Sequence, residues 1–159
     1  MKIFVDTEFT DLWSPSLISI GFAAQSDALL YLEIVADPTG AAGWVPEQCS
    51  RFVRQVVIPL LEGGSAACSR QEAAERSLVW LEGFPESIEL VSDSAVDFHL
   101  LHDLWGGSRM PYNLRAESLE KTPRRRSPAR RAQRDLRAHH ALDDAIALRR
   151  QALADAVGT

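Results

Sequence analysis

The chain has 159 residues, a net charge of −5 and 46% hydrophobic residues, which is the composition of an ordinary globular domain with one core. No apolar run approaches the roughly 20 residues that a membrane-spanning helix needs, so the composition excludes a transmembrane protein. The charge is unevenly distributed: residues 1–108 carry 5 basic and 16 acidic side chains, and residues 109–150 carry 12 basic and 5 acidic ones. The basic segment indicates either a polyanionic partner or a solvated, arginine-rich loop.

The remaining global features predict a cytoplasmic protein with a single domain over residues 1–159. The N-terminus leads directly into an apolar strand and has no signal-peptide pattern. Cys49 and Cys68 form neither a disulfide framework nor a metal-binding spacing. We therefore expect both thiols to be reduced.

The first 35 residues predict three strands, at residues 3–5, 17–22 and 29–35, separated by turn-forming residues. Such a meander indicates an antiparallel start to the sheet. Apolar residues at helical spacing then predict a helix over residues 45–61, and a second helix over 69–81 begins with the capping-box pair Ser69 and Glu72.

The second half of the chain alternates between strands and helices. We predict strands at residues 88–92 and 112–116, and helices at 94–105 and 141–157. Together with the first meander, these elements predict an α/β fold with a five-stranded mixed sheet and helices on both faces.

Two acidic residues close the first strand. Asp6 and Glu8 are two positions apart, so their side chains point to the same face of the strand. Two carboxylates held this close repel each other and favour a cation between them. Their hard oxygen atoms suit Mg²⁺ or Mn²⁺, and the pair therefore predicts a metal site.

Three further residues could complete this site. Asp97 lies one turn into the helix after the fourth strand, Asp144 lies near the start of the C-terminal helix, and His139 precedes Asp144 by five residues. Strand ends and helix starts are the places where α/β folds assemble functional sites.

In this order, the residues match three motifs of a known family. The chain resembles the DEDDh-type 3′–5′ exonucleases of the RNase H-like superfamily. The first motif contains Asp6, Glu8 and Leu12, the second ends in Asp97, and the third is His139, Ala141, Asp144 and Ala145. Within the family, the short chain and the strand from Leu17 to Gly21 look most like the small stand-alone 3′–5′ exoribonucleases of mycobacterial type.

This resemblance implies a metal-dependent enzyme that removes nucleoside 5′-monophosphates from the 3′ end of RNA. Two Mg²⁺ or Mn²⁺ ions would act together in an in-line displacement. Asp6 would contact both ions, Glu8 and Asp144 would complete the site of the attacking water, and Asp97 would hold the second ion. His139 would be the general base, a role that suits a side chain titrating near neutrality.

The third motif leaves a choice of register. His140 and Asp143 compete for the roles of His139 and Asp144, because His140 and Asp144 form an i, i+4 pair on one helical face. We prefer His139, because Ala141 and Ala145 then occupy the small-residue positions of the family motif.

The resemblance also implies contacts to the nucleic acid. Leu12 would be a wedge against the terminal base, and Phe9 or Trp13 would stack on it, although both aromatic residues could instead pack in the core or its rim. Thr10 and Ser94 are the other candidate contacts from the first two motifs. Arg125, Arg126 and Arg130 would bind phosphates along the strand. Small relatives form homodimers, and we expect the same here.

Other functions remain open at this point. The chain could act on DNA rather than RNA, because discrimination through the 2′-OH has no sequence signature. It could also be a catalytically weak nucleic-acid-binding domain of the same fold, although such domains normally lose an acidic ligand and this chain has lost none. An internally cutting nuclease or integrase is disfavoured by the histidine five residues before Asp144.

Overall fold

Six strands form one mixed sheet in the computed structural model, which describes residues 1–107, 109–119 and 135–157. The strands are β1 (Lys2–Phe9), β2 (Leu17–Ala24), β3 (Leu29–Ile34), β4 (Ala67–Cys68), β5 (Ile88–Ser92) and β6 (Leu114–Leu119). Their spatial order is β4-β3-β2-β1-β5-β6. The meander of β1, β2 and β3 is antiparallel, as predicted, and the other neighbouring pairs are parallel.

The strand count corrects the predicted five. The additional strand, β4, has only two residues and pairs with Glu33 and Ile34 at the end of β3. A two-residue segment is too short to show any periodicity, so the sequence contains no signal for it. The last strand begins at Leu114, two residues later than predicted.

Within the described residues, three α-helices cover the sheet: α1 (Arg70–Glu82), α2 (Ala95–Leu104) and α3 (Ala141–Val157). The predicted capping box of α1 is present, because the Ser69 side chain accepts from the Glu72 N–H and the Glu72 carboxylate accepts from the Ser69 N–H. In the described part of the chain, none of these helices is long and apolar enough to cross a bilayer.

Helices lie on both faces because β1 is apolar on both sides. Ile3 and Val5 belong to the large core that includes residues of α1 and α2. Phe4 points to the opposite face and packs in a smaller cluster with Ala145 and Leu148 of α3. Since neighbouring residues of a strand alternate between faces, α3 lies across the sheet from α1 and α2.

The helix predicted over residues 45–61 is not one regular α-helix. It consists of a 3₁₀ turn at Pro46–Gln48, a π-helical stretch at Val53–Val57 and a final 3₁₀ turn at Ile58–Leu60. Pro59 lacks an N–H group and cannot continue an α-helical hydrogen-bond ladder. The apolar spacing correctly indicated helical backbone, but it did not resolve the type of helix.

Candidate metal and nucleic-acid site

Asp6 and Glu8 project from β1 toward α3. They have the same strand parity as Phe4, which packs against α3, so all three side chains lie on one face of the sheet. In the antiparallel pairing with β2, Asp6 is opposite Gly21 and Glu8 is opposite Ser19. The pair therefore lies beneath the first turn of α3.

Gly21 allows α3 to approach the sheet this closely. A Cβ atom at Gly21 would lie 2.3 Å from the backbone N and Cα of Leu142. These are backbone atoms of the first helical turn, which cannot move aside as a flexible side chain could. The absence of a side chain at Gly21 thus lets Asp144 reach the sheet beside Asp6 and Glu8, a role that sequence reasoning did not assign to it.

Asp97 reaches the site from α2 and is held by two hydroxyl groups. The Thr7 hydroxyl donates to Asp97 Oδ1 at 2.5 Å, and the Ser92 hydroxyl donates to Oδ2. Asp97 is only 2% exposed, and Thr7 lies between Asp6 and Glu8 on β1. These hydrogen bonds fix the orientation of the carboxylate relative to β1.

The four predicted carboxylates and His139 meet in two adjacent groups. Glu8, His139 and Asp144 form one group, and Asp6, Asp93 and Asp97 form the other. Within each group, one potential ligand atom from every residue lies within 4.8 Å of the others. The five acidic residues Asp6, Glu8, Asp93, Asp97 and Asp144 are called the carboxylate cluster below.

Asp93 is a member of this cluster that sequence reasoning missed. It lies in the second motif, between the end of β5 and the start of α2, and it is exposed. Its position directly after β5 and four residues before Asp97 was the available signal. The sequence motif assigns a ligand role only to Asp97 in this region.

Burial and mutual repulsion dominate the electrostatics of the cluster. Burial, followed by repulsion from Asp97, Asp144 and Glu8, holds the pKa of Asp6 well above its usual range. Burial and then repulsion from Asp144 and Asp97 raise the pKa of Glu8 to about 7. Burial likewise raises the pKa of Asp97 to about 6, although its two hydroxyl partners act in the opposite direction.

Such a cluster fits a divalent cation. Its donors are carboxylate oxygens with one imidazole, the set that suits Mg²⁺ and Mn²⁺. The raised pKa values indicate that burial and mutual repulsion disfavour the charged forms of Asp6 and Glu8, and a bound cation would offset both effects. Several of these residues could therefore hold a metal ion.

The two neighbouring histidines point in different directions. His139 has a left-handed backbone with a φ of 65°, and its N–H donates to Asp144 Oδ2 at 2.8 Å. The ring of His140 is buried and stacks on Tyr31, with ring centroids 4.4 Å apart. Of the two candidates, the structure thus places His139 beside Glu8 and Asp144.

An apolar pocket adjoins Glu8. It has a volume of about 470 Å³ and is lined mainly by Phe9, Leu12, Trp13 and Phe52. Leu12 is 80% exposed and Trp13 is 96% exposed, so neither residue belongs to the core. Phe9, Leu12 and Trp13, three of the predicted contact residues, therefore lie together at one opening.

Phe52 was missed as a candidate contact. Its ring meets the His139 ring edge to face, with centroids 4.8 Å apart, and 48% of the residue is exposed. The apolar spacing of residues 45–61 assigned Phe52 to the buried face of a regular helix. It lies instead just before the π-helical stretch, at the rim of the pocket.

The other predicted contacts have different surroundings. Thr10 has no exposed surface, and its hydroxyl accepts from the Ser16 N–H at 3.0 Å within the β1–β2 turn. The Ser94 hydroxyl is the N-cap of α2 and accepts from the Val96 N–H. Arg125, Arg126 and Arg130 lie outside the residues that the structure describes.

Comparisons with known proteins give a structural match without a sequence match. No family model and no curated protein matches the chain. The structure is similar to that of S. pombe Pop2p in its Mg²⁺- and Mn²⁺-bound form, with a TM-score of 0.54 and 13% sequence identity. The match covers 94% of this chain and 80% of Pop2p. This likeness shows the fold, and the chain therefore has the α/β, RNase H-like architecture that the sequence resemblance implied.

Proposed function

We propose that this protein is a metal-dependent 3′–5′ exonuclease that acts on RNA and releases nucleoside 5′-monophosphates. One observation carries the proposal: Asp6, Glu8, Asp97, Asp144 and His139 come from separate segments of the chain and converge beside an apolar pocket. Pop2p, the structural neighbour, binds Mg²⁺ and Mn²⁺, which supports the same class of cation here.

The grouping of the side chains supports distinct roles for them. Two bound Mg²⁺ or Mn²⁺ ions would neutralise the phosphate, promote ionisation of the attacking water and stabilise the leaving oxygen. Asp6, Glu8, Asp97 and Asp144 are the proposed ligands, and Asp93 is a further candidate in the group of Asp6 and Asp97. Thr7 and Ser92 would keep Asp97 oriented for this purpose.

His139 is the proposed general base. It lies in the same group as Glu8 and Asp144, which is where the resemblance implies the attacking water. Histidine is the side chain that most often serves as a general base. The edge-to-face contact with Phe52 and the hydrogen bond from its own N–H to Asp144 restrict where the ring can lie.

The apolar pocket supports an enzyme that works from a chain end. Phe9, Leu12, Trp13 and Phe52 would receive the terminal base, with stacking that tolerates any base. Because the pocket adjoins Glu8, a nucleoside bound in it would place its phosphate beside the carboxylate cluster. The proposed preference for RNA is based on the likeness of the β2 sequence to the small exoribonucleases. Cytoplasmic location, homodimer formation and phosphate contacts by Arg125, Arg126 and Arg130 belong to the same proposal.

The test is a hydrolysis assay with RNA and DNA oligonucleotides of identical sequence, each labelled at the 5′ or the 3′ end. We expect Mg²⁺-dependent release of mononucleotides from the 3′ end of RNA, and no turnover in EDTA. His139→Gln and His140→Gln form a matched pair of variants, of which the first should be inactive and the second should lose only part of its turnover.

Each other outcome contradicts a defined part of the proposal. Faster hydrolysis of DNA than of RNA would show that DNA is the preferred substrate. Internal fragments among the products would show that the enzyme cuts within the chain and is not an exonuclease. Binding without turnover at any concentration of Mg²⁺ or Mn²⁺ would leave a nucleic-acid-binding domain. Loss of activity in His140→Gln with normal activity in His139→Gln would assign the role of general base to His140 and not to His139.

A further inference from the structure

The loop that carries His139 into α3 is tied down at Arg137. The Arg137 backbone N–H and its Nε both donate to Asp143 Oδ2, at 2.9 and 2.7 Å. Its Nη2 donates to Glu62 Oε1 at 2.8 Å. One arginine therefore joins the first turn of α3 to a segment that is 75 residues away in sequence.

The Glu62 end of this tie is anchored on the sheet. Glu33 on β3 is only 3% exposed, and its carboxylate accepts from the N–H of Glu62 at 2.5 Å and from the N–H of Gly63 at 2.8 Å. Glu33 is opposite Ser19, which is in turn opposite Glu8. The tie thus ends in the same row of the sheet that carries Glu8.

His140 provides a second anchor on the other side of His139. Its ring is stacked on Tyr31, and its Nδ1 accepts from the Asp143 N–H at 3.4 Å. Arg137, Asp143, Glu62, Glu33 and His140 are called the arginine network below. With residues 137 and 140 both fixed, the backbone at His139 must turn sharply between them.

This turn is the strained position of the loop. The left-handed φ of 65° at His139 is unfavourable for a residue with a Cβ and persists only where its surroundings hold it. In this conformation, the ring of His139 projects toward Glu8 and Asp144 while that of His140 is buried. Without the ties on either side, the loop can relax to ordinary backbone angles and carry the ring away.

We propose that Arg137 is a positioning residue that, through Asp143 and Glu62, holds the left-handed turn and so keeps the His139 ring at the carboxylate cluster. The proposal rests on the proposed function for the role of His139. Arg137 makes no contact with the cluster in the described structure, so its effect on the reaction is indirect. Its side chain is 42% exposed, and exposed ion pairs add little to global stability, so its main effect should be local.

The test compares Arg137→Ala and Arg137→Lys with a matched control, Arg150→Ala. Arg150 also pairs with an acidic residue of the same loop, because its Nη1 and Nη2 donate to the Asp135 carboxylate at 3.2 and 3.1 Å, but within the described residues it makes no hydrogen bond to Glu62 or Asp143. Each variant is assayed for kcat and KM. The rings of all four histidines are followed by NMR after ¹³C labelling, in the presence of EDTA, and the His139 signal is assigned with His139→Gln.

We expect Arg137→Ala to lower kcat by about 10–100-fold, the usual range for residues that orient a reacting group from outside. KM should stay within about twofold, because the substrate pocket is unchanged. The His139 ring signal should shift as the ring leaves Phe52. Arg137→Lys should recover part of kcat, because an ammonium can pair with Asp143 or Glu62 but cannot reproduce the fork that joins both. Arg150→Ala should match the wild type.

An unchanged kcat and an unchanged His139 signal in Arg137→Ala would overturn the proposal, as would equal losses in Arg150→Ala. If Arg137→Ala does not fold, Glu62→Gln decides, since it weakens one tie and keeps the Asp143 contacts. It should shift the His139 signal and lower kcat by less, and no shift there would also overturn the proposal. If the wild type lacks activity but the His139 signal still moves in Arg137→Ala, the proposed function is wrong and the positioning role stands.

Discussion

Two polar clusters meet at the first turn of α3, and the pKa values of their carboxylates are shifted in opposite directions. In the carboxylate cluster, burial and mutual repulsion raise the pKa values of Asp6, Glu8 and Asp97. In the arginine network, burial acts against the charged form of Asp143, but hydrogen bonds from Arg137 outweigh it and the pKa lies below the usual range. Asp143 and Asp144 are neighbours in α3, but Asp143 belongs to the arginine network and Asp144 belongs to the carboxylate cluster.

This difference teaches how to separate a functional acidic group from a structural one. A compensated carboxylate stabilises the fold by itself, and its removal leaves a cation unpaired. Buried carboxylates that repel one another destabilise the fold when they are charged, and such a cost is expected at functional sites. Removing a carboxylate should therefore have opposite effects on stability in the two clusters.

Asp6→Asn should give the largest effect on activity. We expect hydrolysis to fall by more than about 100-fold, because residues that act from outside a ligand shell already cost 10–100-fold when they are changed. The same substitution should raise the melting temperature in EDTA, since it removes a repelled charge. Asp143→Asn is the matched control, and it should lower the melting temperature. A fall in stability for both variants would break the comparison.

Gly21→Ala should give the next largest effect. The added methyl group would lie 2.3 Å from the backbone of Leu142, and an overpacked core typically loses about 1–3 kcal/mol. Displacement of the first turn of α3 would also move Asp144 and His139, so turnover should fall together with stability. Gly83→Ala is the control, because its nearest backbone neighbour would be 3.3 Å away. Urea unfolding and the hydrolysis assay measure both effects, and normal activity in Gly21→Ala would contradict this role.

Phe52→Ala should weaken substrate binding. If Phe52 stacks on the terminal base, its loss should cost about 1–3 kcal/mol, the range measured for base–aromatic contacts. The measurement is the Kd for a short oligonucleotide bound to His139→Gln, which prevents turnover. Val79→Ala is the control, because Val79 is 69% exposed on α1 and is not part of the pocket lining. Equal affinities for the two variants would exclude Phe52 from the site.

The dependence of stability on pH should give the smallest effect. The folded pKa of Glu8 is about 7, above its ordinary value of 4.5, so the folded state binds more protons than the unfolded state between these values. Stability in EDTA should therefore fall as pH rises from about 4.5 to 7, with each kcal/mol lowering the melting temperature by about 2–4 °C. Asp143 has the opposite sign, and its contribution is lost as pH falls below 3.8.

Saturating Mg²⁺ should remove this fall, because cation binding favours the charged carboxylates. The measurement is a series of thermal melts between pH 4 and pH 8, with Mg²⁺ and with EDTA. Identical pH profiles in the two series would show that the carboxylate cluster does not bind the cation. That result would remove the basis of the difference between the two clusters.

Much of the fold and the site was predictable from local sequence. Short apolar runs bounded by turn residues located five of the six strands, and the Ser69 and Glu72 pair located the start of α1. Two predictions were less accurate: the regular helix over residues 45–61 and the start of the last strand. In both segments, a proline or a tertiary pairing overrides the local pattern.

The missed residues have a common physical explanation. Gly21, Asp93 and Phe52 have roles that depend on what approaches them from distant segments. Gly21 matters because Leu142 lies above it, and Phe52 matters because His139 lies beside it. No window of sequence contains both members of either pair.

By itself, the sequence determined which residue types follow each strand and precede each helix, because backbone propensity and side-chain alternation are local properties. It therefore placed Asp6 and Glu8 on one face and proposed Asp97, His139 and Asp144 as their partners. Only the tertiary structure decided that His139 rather than His140 points to the cluster, and that Asp144 lies in the cluster while Asp143 pairs with Arg137. These choices depend on burial and on distances between segments, which exist only after the chain has packed.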